Sequence, residues 1–318
     1  MSASVTEIAC THALQPSRVP LARILVVVDP AAAVHPCIEK AARIALHTGA
    51  ELELYTCDTE QDGPHLALSR EARIELHHES LERMAQPLRA QGLAVSVRSE
   101  WSAPLERGVG YHVIRTRPDL VVKDTHLHTL ARAPVTMTDW ILMRQLPTPL
   151  LLVKPEPWPE RMHITLSCDP CHPAARTPEI DSAMLAIGCT LGEALRADLD
   201  VLHVLESPPH LPGEPVPPQA RHAHHAAARA LVGQLIADGN FLGVRIPACF
   251  EEGRVAEKII QFASQHRPQI MMMGAAPRAR WVYAAAGGTA AQVLEAIPCD
   301  MLVIKPPGFV SPLLVTEE

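Results

Sequence analysis

The sequence predicts an α/β fold that occurs twice in tandem. Residues 23–30, Arg-Ile-Leu-Val-Val-Val-Asp-Pro, have a counterpart at residues 163–170, His-Ile-Thr-Leu-Ser-Cys-Asp-Pro. Each copy also closes with a matching apolar strand, Leu-Leu-Val-Lys-Pro at 151–155 and Leu-Val-Ile-Lys-Pro at 302–306. A repeat of about 150 residues is the size of a whole domain and too long for a solenoid unit. We therefore expect two homologous domains.

In the first half, short apolar runs alternate with amphipathic segments. Ile24–Val28 is long and apolar enough for a strand that is buried on both faces. Ala33–Thr48 places apolar side chains at helical spacing, and Gly49 ends the helix. The same criteria predict further strands at Leu52–Cys57, Val95–Val97, Leu120–Val122 and Leu150–Val153, and helices at Ala67–Ala90, Leu105–Thr116 and Thr138–Leu146.

The second half repeats this order of elements. Its predicted strands are Ile164–Cys168, Asp200–Leu205, Val244–Phe250, Ile270–Met273 and Met301–Ile304. Its predicted helices are Glu179–Leu195, Gln219–Ala237, Val255–His266 and Thr289–Ala296. Strands separated by helices of about 10 to 20 residues indicate βαβ units and a parallel sheet.

Proline spacing divides the chain. Prolines at 155, 157 and 159 favour a stiff, extended connector between the two copies. We expect a flexible lead-in at 1–20, a first domain at 21–155, a linker at 156–161, a second domain at 162–307 and a C-terminal tail at 308–318.

The composition excludes several classes of partner. A net charge of −7, a pI near 6.2 and 3% aromatic residues argue against nucleic-acid binding. No apolar run approaches the roughly 18–20 residues of a membrane span, and residues 1–20 lack the pattern of a secretory signal. We expect a cytoplasmic protein with no membrane partner. The eight cysteines show no disulfide spacing and are expected to be reduced.

Three segments carry a resemblance to a known family. They are the strands that end in Asp-Pro, the run from Thr136 through Pro-Trp-Pro-Glu at 157–160, and the stretch from Gly274 to Pro306. From about Arg23 to Pro306 the chain resembles the universal stress protein family in its tandem-domain form. The resemblance implies doubly wound domains, each a five-stranded parallel sheet with helices on both faces. It also implies a non-enzymatic role in the stress response.

Single-domain members of that family commonly dimerise through the edge of strand five. Here that edge, Pro149–Val153, is uniformly apolar and would invite unwanted pairing if it were open. We expect Leu150–Val153 and Met301–Ile304 to lie side by side and antiparallel, as an internal pseudo-dimer. The protein is then a monomer or a homodimer.

A partial phosphate loop follows the fourth strand of the second copy. Family members that bind ATP carry Gly-x-x-Gly, nine residues, then Gly-Ser/Thr, because glycines let backbone N–H groups reach phosphate. Here Gly274 begins the pattern and Gly287-Gly288-Thr289 ends it, but Pro277 replaces the second glycine and offers no N–H.

The predicted binding residues for ATP, another nucleotide or another small ligand are Asp169, Gly274, Arg278, Gly287, Gly288 and Thr289, with Arg280 as a second possible phosphate contact. The family resemblance implies that Asp169 lies near the nucleoside. The alternative is a solvated loop in which the glycines only form a turn and Thr289 caps a helix.

The first copy has no glycine between Lys123 and Thr138. A Cβ at each position of close approach should exclude a phosphate cradle there. Asp29 remains, as a turn or capping residue beside Pro30.

Two other patterns in the sequence allow more than one interpretation. Cys168-Asp-Pro-Cys171-His172 fits a haem attachment signature and a redox dithiol, but two unlinked structural cysteines fit better, since Cys168 falls inside a strand. His222 and His225 share a helix face and lack a nearby carboxylate or cysteine, so we assign no metal ligand.

The sequence contains no nucleophile elbow, metalloprotease motif or Walker lysine motif. We therefore predict no catalytic residue and no enzymatic activity. Two alternatives to ligand binding stay open at this point: a ligand-free adaptor, and a thiol-based redox sensor that uses Cys168 and Cys171.

Overall fold

The computed structural model describes residues 4–6, 19–29, 32–58, 68–102, 104–125, 137–171, 178–208, 215–239, 245–275 and 289–314. Contacts divide the chain into two compact units. Unit I comprises Pro20–Glu160 with Asp300–Glu318, and unit II comprises Met1–Val19 with Arg161–Cys299.

The strands and helices alternate along the chain. The strands are β1 (Ser4–Thr6), β2 (Arg23–Val27), β3 (Glu51–Asp58), β4 (Val95–Trp101), β5 (Leu120–Asp124), β6 (Leu150–Val153), β7 (His163–Ser167), β8 (Asp198–Leu205), β9 (Ala248–Glu252), β10 (Ile270–Gly274) and β11 (Asp300–Ile304). The helices are α1 (Pro36–Thr48), α2 (Arg70–Ala90), α3 (Leu105–Thr116), α4 (Met137–Gln145), α5 (Pro178–Leu195), α6 (Pro218–Asp238), α7 (Val255–His266) and α8 (Thr289–Ala296), followed by a short 3₁₀ helix at Pro312–Leu314.

The sheet of unit I has the strand order β11-β6-β5-β2-β3-β4. Pairing is parallel from β6 to β4, as expected for βαβ units. Strand β6 is buried along its whole length, which explains its continuous apolar sequence. Strand β5 is equally buried, including the charged Lys123 and Asp124 at its carboxyl end. The predicted α/β class and the mostly parallel sheet are confirmed.

Strand β11 lies at the end of the second sequence copy but pairs within unit I. It runs antiparallel to β6, with Leu302 opposite Leu151 and Val303 opposite Leu150. The predicted side-by-side, antiparallel arrangement of the two apolar strands is therefore confirmed. The pairing gives the β6 edge a permanent partner from the same chain.

The sheet of unit II has the strand order β1-β9-β8-β7-β10. Strands β9, β8, β7 and β10 pair in parallel, and β1 joins β9 antiparallel with Ser4 opposite Phe250. The sequence predicts a flexible lead-in at 1–20. A three-residue strand gives almost no pattern in a sequence, so the pairing of Ser4–Thr6 was not recognised.

Most element boundaries lie close to the predicted ones. Helix α1 ends at Gly49, whose φ of 74° is a left-handed conformation that glycine adopts without strain. Strand β4 extends to Trp101, beyond the predicted Val97. The prediction stopped early because the outer half of the strand is polar and half-exposed and so lacks an apolar pattern. Within the described residues, no helix is both long and apolar enough to cross a membrane.

Candidate functional site

The candidate site lies at the carboxyl edge of the unit II sheet. Asp169 and Cys171 follow β7, His203 lies near the end of β8, and Gly274 is the last residue of β10. The carboxyl ends of parallel strands share one edge, which is where doubly wound sheets place their ligands.

His203 is held in one orientation by the backbone. The residue is 4% exposed, and Nδ1 lies 3.0 Å from the carbonyl oxygen of Cys168. A carbonyl oxygen only accepts, so Nδ1 carries the proton of this hydrogen bond. In the neutral ring, Nε2 is then the atom with a free lone pair.

Nε2 of His203 faces a thiol and a carboxylate. The Cys171 Sγ lies 3.8 Å from Nε2. One carboxylate oxygen of Asp169 completes a group of three ligand atoms that all lie within 4.8 Å of one another. The chain thus brings together residues from two strand ends that are far apart in sequence.

A second carboxylate supports this edge from helix α5. Asp181, in the first turn of α5 and 1% exposed, accepts a hydrogen bond from the Asp169 backbone N–H at 3.2 Å. Asp169 had been expected to be the acid nearest the ligand, and the structure adds Asp181 to it. The edge therefore carries more negative charge than the sequence suggested.

The two cysteines of the predicted redox pair have different environments. Cys168 is buried and Cys171 is half-buried. Burial, reinforced by the carboxylates of Asp169 and Asp181, raises the pKa of the Cys171 thiol to about 11. An isolated Cys171 is thus protonated at neutral pH, whereas a reactive redox thiol is normally a stabilised thiolate.

The corresponding edge of unit I is occupied by its own side chains. Asp124, the last residue of β5, accepts a 2.8 Å hydrogen bond at Oδ1 from the backbone N–H of Cys37 at the start of α1. Beside it, the Lys123 amine donates to the Asp124 carbonyl and pairs with Asp139 at 2.8 Å. All three charged side chains are buried.

A family model supplies the comparison that decides the identity. The model described as "Universal stress protein family" matches this chain twice, over residues 21–154 and 179–305. The chain belongs to the universal stress protein family. Two tandem matches support a role in the response to stress.

Curated relatives match the tandem arrangement over nearly their full length. The chain is 25% identical over 323 residues to universal stress protein E of Salmonella typhi, covering 93% of this chain and 98% of that protein. It is 24% identical over 320 residues to universal stress protein E of Escherichia coli strain K12, covering 93% and 97%.

Solved structures confirm the fold. A functionally unknown protein from Pseudomonas aeruginosa PAO1 superposes with a TM-score of 0.69 at 23% identity, covering 90% of this chain and 93% of that one. A universal stress protein from Archaeoglobus fulgidus DSM 4304 gives a TM-score of 0.62 at 13% identity, covering 89% and 96%. At these identities the likeness concerns the fold alone.

The binding residues predicted for this universal stress protein fall partly within the described chain. Asp169 and Gly274 lie at the same sheet edge, and Thr289 is the first residue of α8. Arg278, Gly287 and Gly288, together with Pro277 and Arg280, lie outside the described residues, as does His172. The phosphate half of the predicted site therefore stays a prediction.

A built Cβ at Gly274 shows how closely helix α5 packs on the end of β10. That Cβ would lie 2.9 Å from Cδ1 of Ile180 in α5. Position 274 therefore has room for glycine alone unless Ile180 moves. In unit I the last residue of the equivalent strand is Asp124. The two copies of the repeat therefore differ at this position, with a charged side chain in unit I and no side chain in unit II.

Sequence reasoning missed His203 and Asp181. His203 was hidden within an apolar strand, and Asp181 was one of two acids in the first helical turn of α5. The histidines that the sequence did single out, His222 and His225, lie on α6, where His225 Nε2 is 3.3 Å from the carbonyl oxygen of Glu206. A better signal would have been the Cys171 and Asp169 pair at one strand end combined with a histidine near the end of the neighbouring strand.

Proposed function

We propose that this chain acts without catalysis in the cytoplasmic response to stress and binds a nucleotide or similar small ligand in unit II. The observation that carries the proposal is the contrast between Gly274 and Asp124 at the ends of equivalent strands. In unit I a carboxylate and a buried ion pair fill the position, whereas in unit II residue 274 brings no side chain of its own and the apolar Ile180 packs beside it.

The unit I edge is a poor place for an anionic ligand. Displacing the Asp124 carboxylate would leave the Cys37 N–H at the start of α1 without that acceptor, and a buried unpaired donor costs about 1–3 kcal/mol. This cost favours the other unit.

The unit II edge has features that suit a nucleoside. Asp169 is half-buried beside the sheet edge and offers a carboxylate to sugar hydroxyls. Thr289 opens α8, so the backbone N–H groups of that helix's first turn are donors that phosphate can accept from. Arg278 adds a cation by sequence.

The decisive experiment compares matched aspartates of the repeat. ATP and AMP binding is measured by calorimetry on the wild type, Asp169→Ala and Asp29→Ala. We expect Asp169→Ala to weaken binding at least about tenfold, the value of one charge-assisted hydrogen bond, and Asp29→Ala to leave it unchanged. The reverse pattern would move the site to unit I, and no binding by the wild type would leave the adaptor hypothesis.

Two further variants test the loop directly. Pro277→Gly restores one backbone N–H and should tighten ATP binding about tenfold. Gly274→Asp installs the side chain that unit I carries and should abolish binding, because the new carboxylate occupies the edge and repels phosphate. Gly274→Asn is the uncharged control that separates repulsion from steric blockage.

Binding without turnover is the second part of the proposal. Hydrolysis needs a base placed against an attacking water and charge neutralisation at the leaving oxygens. Asp169 is expected at the nucleoside end, and Asp181 is engaged by the Asp169 backbone. We expect ATP hydrolysis by highly purified protein to match the background rate and not to change in Asp169→Asn. A steady-state assay with turnover well above the Asp169→Ala variant would make the protein an enzyme.

The alternative functions differ in what they require. A ligand-free adaptor predicts that mass spectrometry of the denatured, freshly purified protein finds no small molecule. A redox sensor predicts a change in thiol count after mild oxidant, but the burial of Cys168 and the raised pKa of Cys171 do not favour it.

A further inference from the structure

We propose that Asp169, Cys171 and His203 form a site for a borderline divalent transition-metal ion of the zinc class. The site lies at the carboxyl edge of unit II and goes beyond the nucleotide proposal, since neither requires the other. It uses two residues, Cys171 and His203, that play no part in nucleotide binding as argued above.

The donor set matches zinc chemistry. Thiolate, imidazole and carboxylate are the three ligand types that Zn²⁺ takes, whereas Mg²⁺ and Ca²⁺ select oxygen alone. Tetrahedral zinc holds its ligand atoms about 3.5 Å apart, and the Cys171 Sγ to His203 Nε2 distance is 3.8 Å. The three ligand atoms lie within 4.8 Å of one another, so a modest inward shift of the half-buried Asp169 side chain completes the geometry.

The orientation of His203 is the one that a metal ligand needs. Ligating histidines typically donate the second ring N–H to a carbonyl or carboxylate, which fixes the tautomer and the ring plane. Here Nδ1 donates to the Cys168 carbonyl at 3.0 Å, so Nε2 points its lone pair toward Cys171. The ring is buried, so this orientation is set by the fold and not by solvent.

The repeat provides an internal reference for this histidine. Val28 and Cys168 each precede the Asp-Pro of their own copy. In unit I the Val28 carbonyl accepts from the Thr56 hydroxyl at 2.9 Å, and in unit II the Cys168 carbonyl accepts from His203. A hydroxyl is therefore enough for the backbone bond. Nε2 is the additional group that histidine brings, and Cys171 and Asp169 are its neighbours.

Charge and protons balance in the loaded site. Binding replaces the Cys171 S–H proton by the metal, and that proton leaves to solvent. One thiolate and one carboxylate then neutralise the divalent ion, and His203 binds as the neutral ring. Three protein ligands leave a fourth tetrahedral position for water. The competing explanation is a plain hydrogen bond from the Cys171 thiol to Nε2.

The test uses the full chain, treated with chelator and kept reduced. Zn²⁺ is titrated in competition with a chromophoric chelator, and Co²⁺ is added separately as a spectroscopic probe. We expect one equivalent of Zn²⁺ at this site and, with Co²⁺, a thiolate-to-metal charge-transfer band in the near ultraviolet with intense visible bands of a tetrahedral ion.

Unit I suggests one substitution for the proposed site, and helix α5 offers a control cysteine. Cys171→Ser and His203→Thr should each weaken Zn²⁺ binding at least about 100-fold, since loss of a ligand costs no less than loss of its outer partner. His203→Thr copies the Thr56 arrangement and keeps the backbone hydrogen bond, so its circular dichroism should match the wild type. Cys189→Ser, on a half-buried thiol of α5, is the control and should retain full binding.

Several results would overturn the assignment. These are a wild type that binds no more Zn²⁺ than the Cys171→Ser/His203→Thr double variant, a Co²⁺ spectrum without a thiolate band, and equal loss in Cys189→Ser. If His203→Thr unfolds, Cys171→Ser alone still decides the question. ATP calorimetry on Cys171→Ser keeps the two proposals separate, because nucleotide binding should survive in that variant.

Discussion

The Lys40 amine and the Asp300 carboxylate form a buried ion pair of 2.8 Å inside unit I. Lys40 lies on α1 and Asp300 begins β11, so the pair joins the last strand of the chain to a helix from its first half. Asp300 also accepts from the Lys154 backbone and from the Trp158 indole, both at 2.7 Å. The Pro-rich connector is thereby fixed to the start of β11.

Loss of the Asp300 carboxylate should be strongly destabilising. Asp300→Ala leaves a buried ammonium without its partner, which costs about 3–5 kcal/mol in comparable buried pairs. Urea unfolding followed by tryptophan fluorescence is suited to the measurement, because three of the four tryptophans, Trp101, Trp140 and Trp158, belong to unit I.

The exposed Glu82–Arg89 pair on α2, also in unit I, is the control for that variant. Glu82→Ala should change stability by at most about 0.5 kcal/mol, since exposed pairs contribute little. Equal effects of the two substitutions would show that the Asp300 cluster adds nothing beyond a surface contact.

His163 should make unit II stability depend on pH. The hydrogen bond that Nε2 of His163 donates to the Asp200 carboxylate, 2.9 Å away, raises the pKa of His163 and outweighs burial, which lowers it. Asp198 adds a smaller attraction. A raised folded pKa stabilises the protein below the unfolded value of about 6.5. That stabilisation is lost as pH rises through the folded pKa.

The measurement is the free energy of unfolding of wild type minus His163→Gln as a function of pH. The difference should be largest below pH 6.5 and should shrink above it. Asp200→Asn is the control, in which NMR titration should find the His163 pKa no longer raised. A difference that grows with pH would contradict the assignment.

The C-terminal 3₁₀ helix docks against α3 through a glycine. A Cβ built on Gly110 would lie 2.1 Å from Cδ1 of Leu313, which is 8% exposed. Leu313→Ala should cost about 2 kcal/mol, at the low end for a buried leucine. Gly110→Ala should also destabilise the wild type, because the new methyl displaces Leu313.

The double variant Gly110→Ala/Leu313→Ala tests this contact, because the effect of Gly110→Ala on stability should change sign when Leu313 is removed. In the Leu313→Ala background, Gly110→Ala meets no side chain and should stabilise α3 by up to about 1 kcal/mol, the helix propensity difference. If Gly110→Ala is destabilising by the same amount in both backgrounds, the docking of Leu313 is not the cause.

Asp124 acts as a helix cap supplied from a distant strand. His35, at the N-cap position of α1, makes no side-chain capping bond, and the Cys37 N–H donates instead to Asp124. Asp124→Ala should therefore cost about 1–2 kcal/mol. Ser69, the local cap of α2, is the matched control, and Ser69→Ala should cost less because its bond to Ala72 is exposed. Urea unfolding of both variants makes the comparison.

The sequence predicts only some of the residues at the candidate site. Gly274 and Thr289 were predicted from the fixed spacing of a loop motif, and Asp169 was predicted from the family resemblance. His203 could not be predicted, since a histidine in an apolar strand has the same sequence pattern whether it packs silently or faces a ligand. The hydrogen bond to the Cys168 carbonyl, which orients Nε2, depends on strand register and appears only in three dimensions.

The sequence by itself determined the class of fold, the tandem repeat and the apolar character of Leu150–Val153 and Met301–Ile304. These follow from local periodicity and from strand burial, which each segment carries in its own composition. The tertiary structure alone decided that β11 and the tail belong with unit I, that Asp300 lies between Lys40 and Trp158, and that Asp169, Cys171 and His203 meet. Such contacts join residues many positions apart, and their distances are set by how strands and helices pack, which no local pattern records.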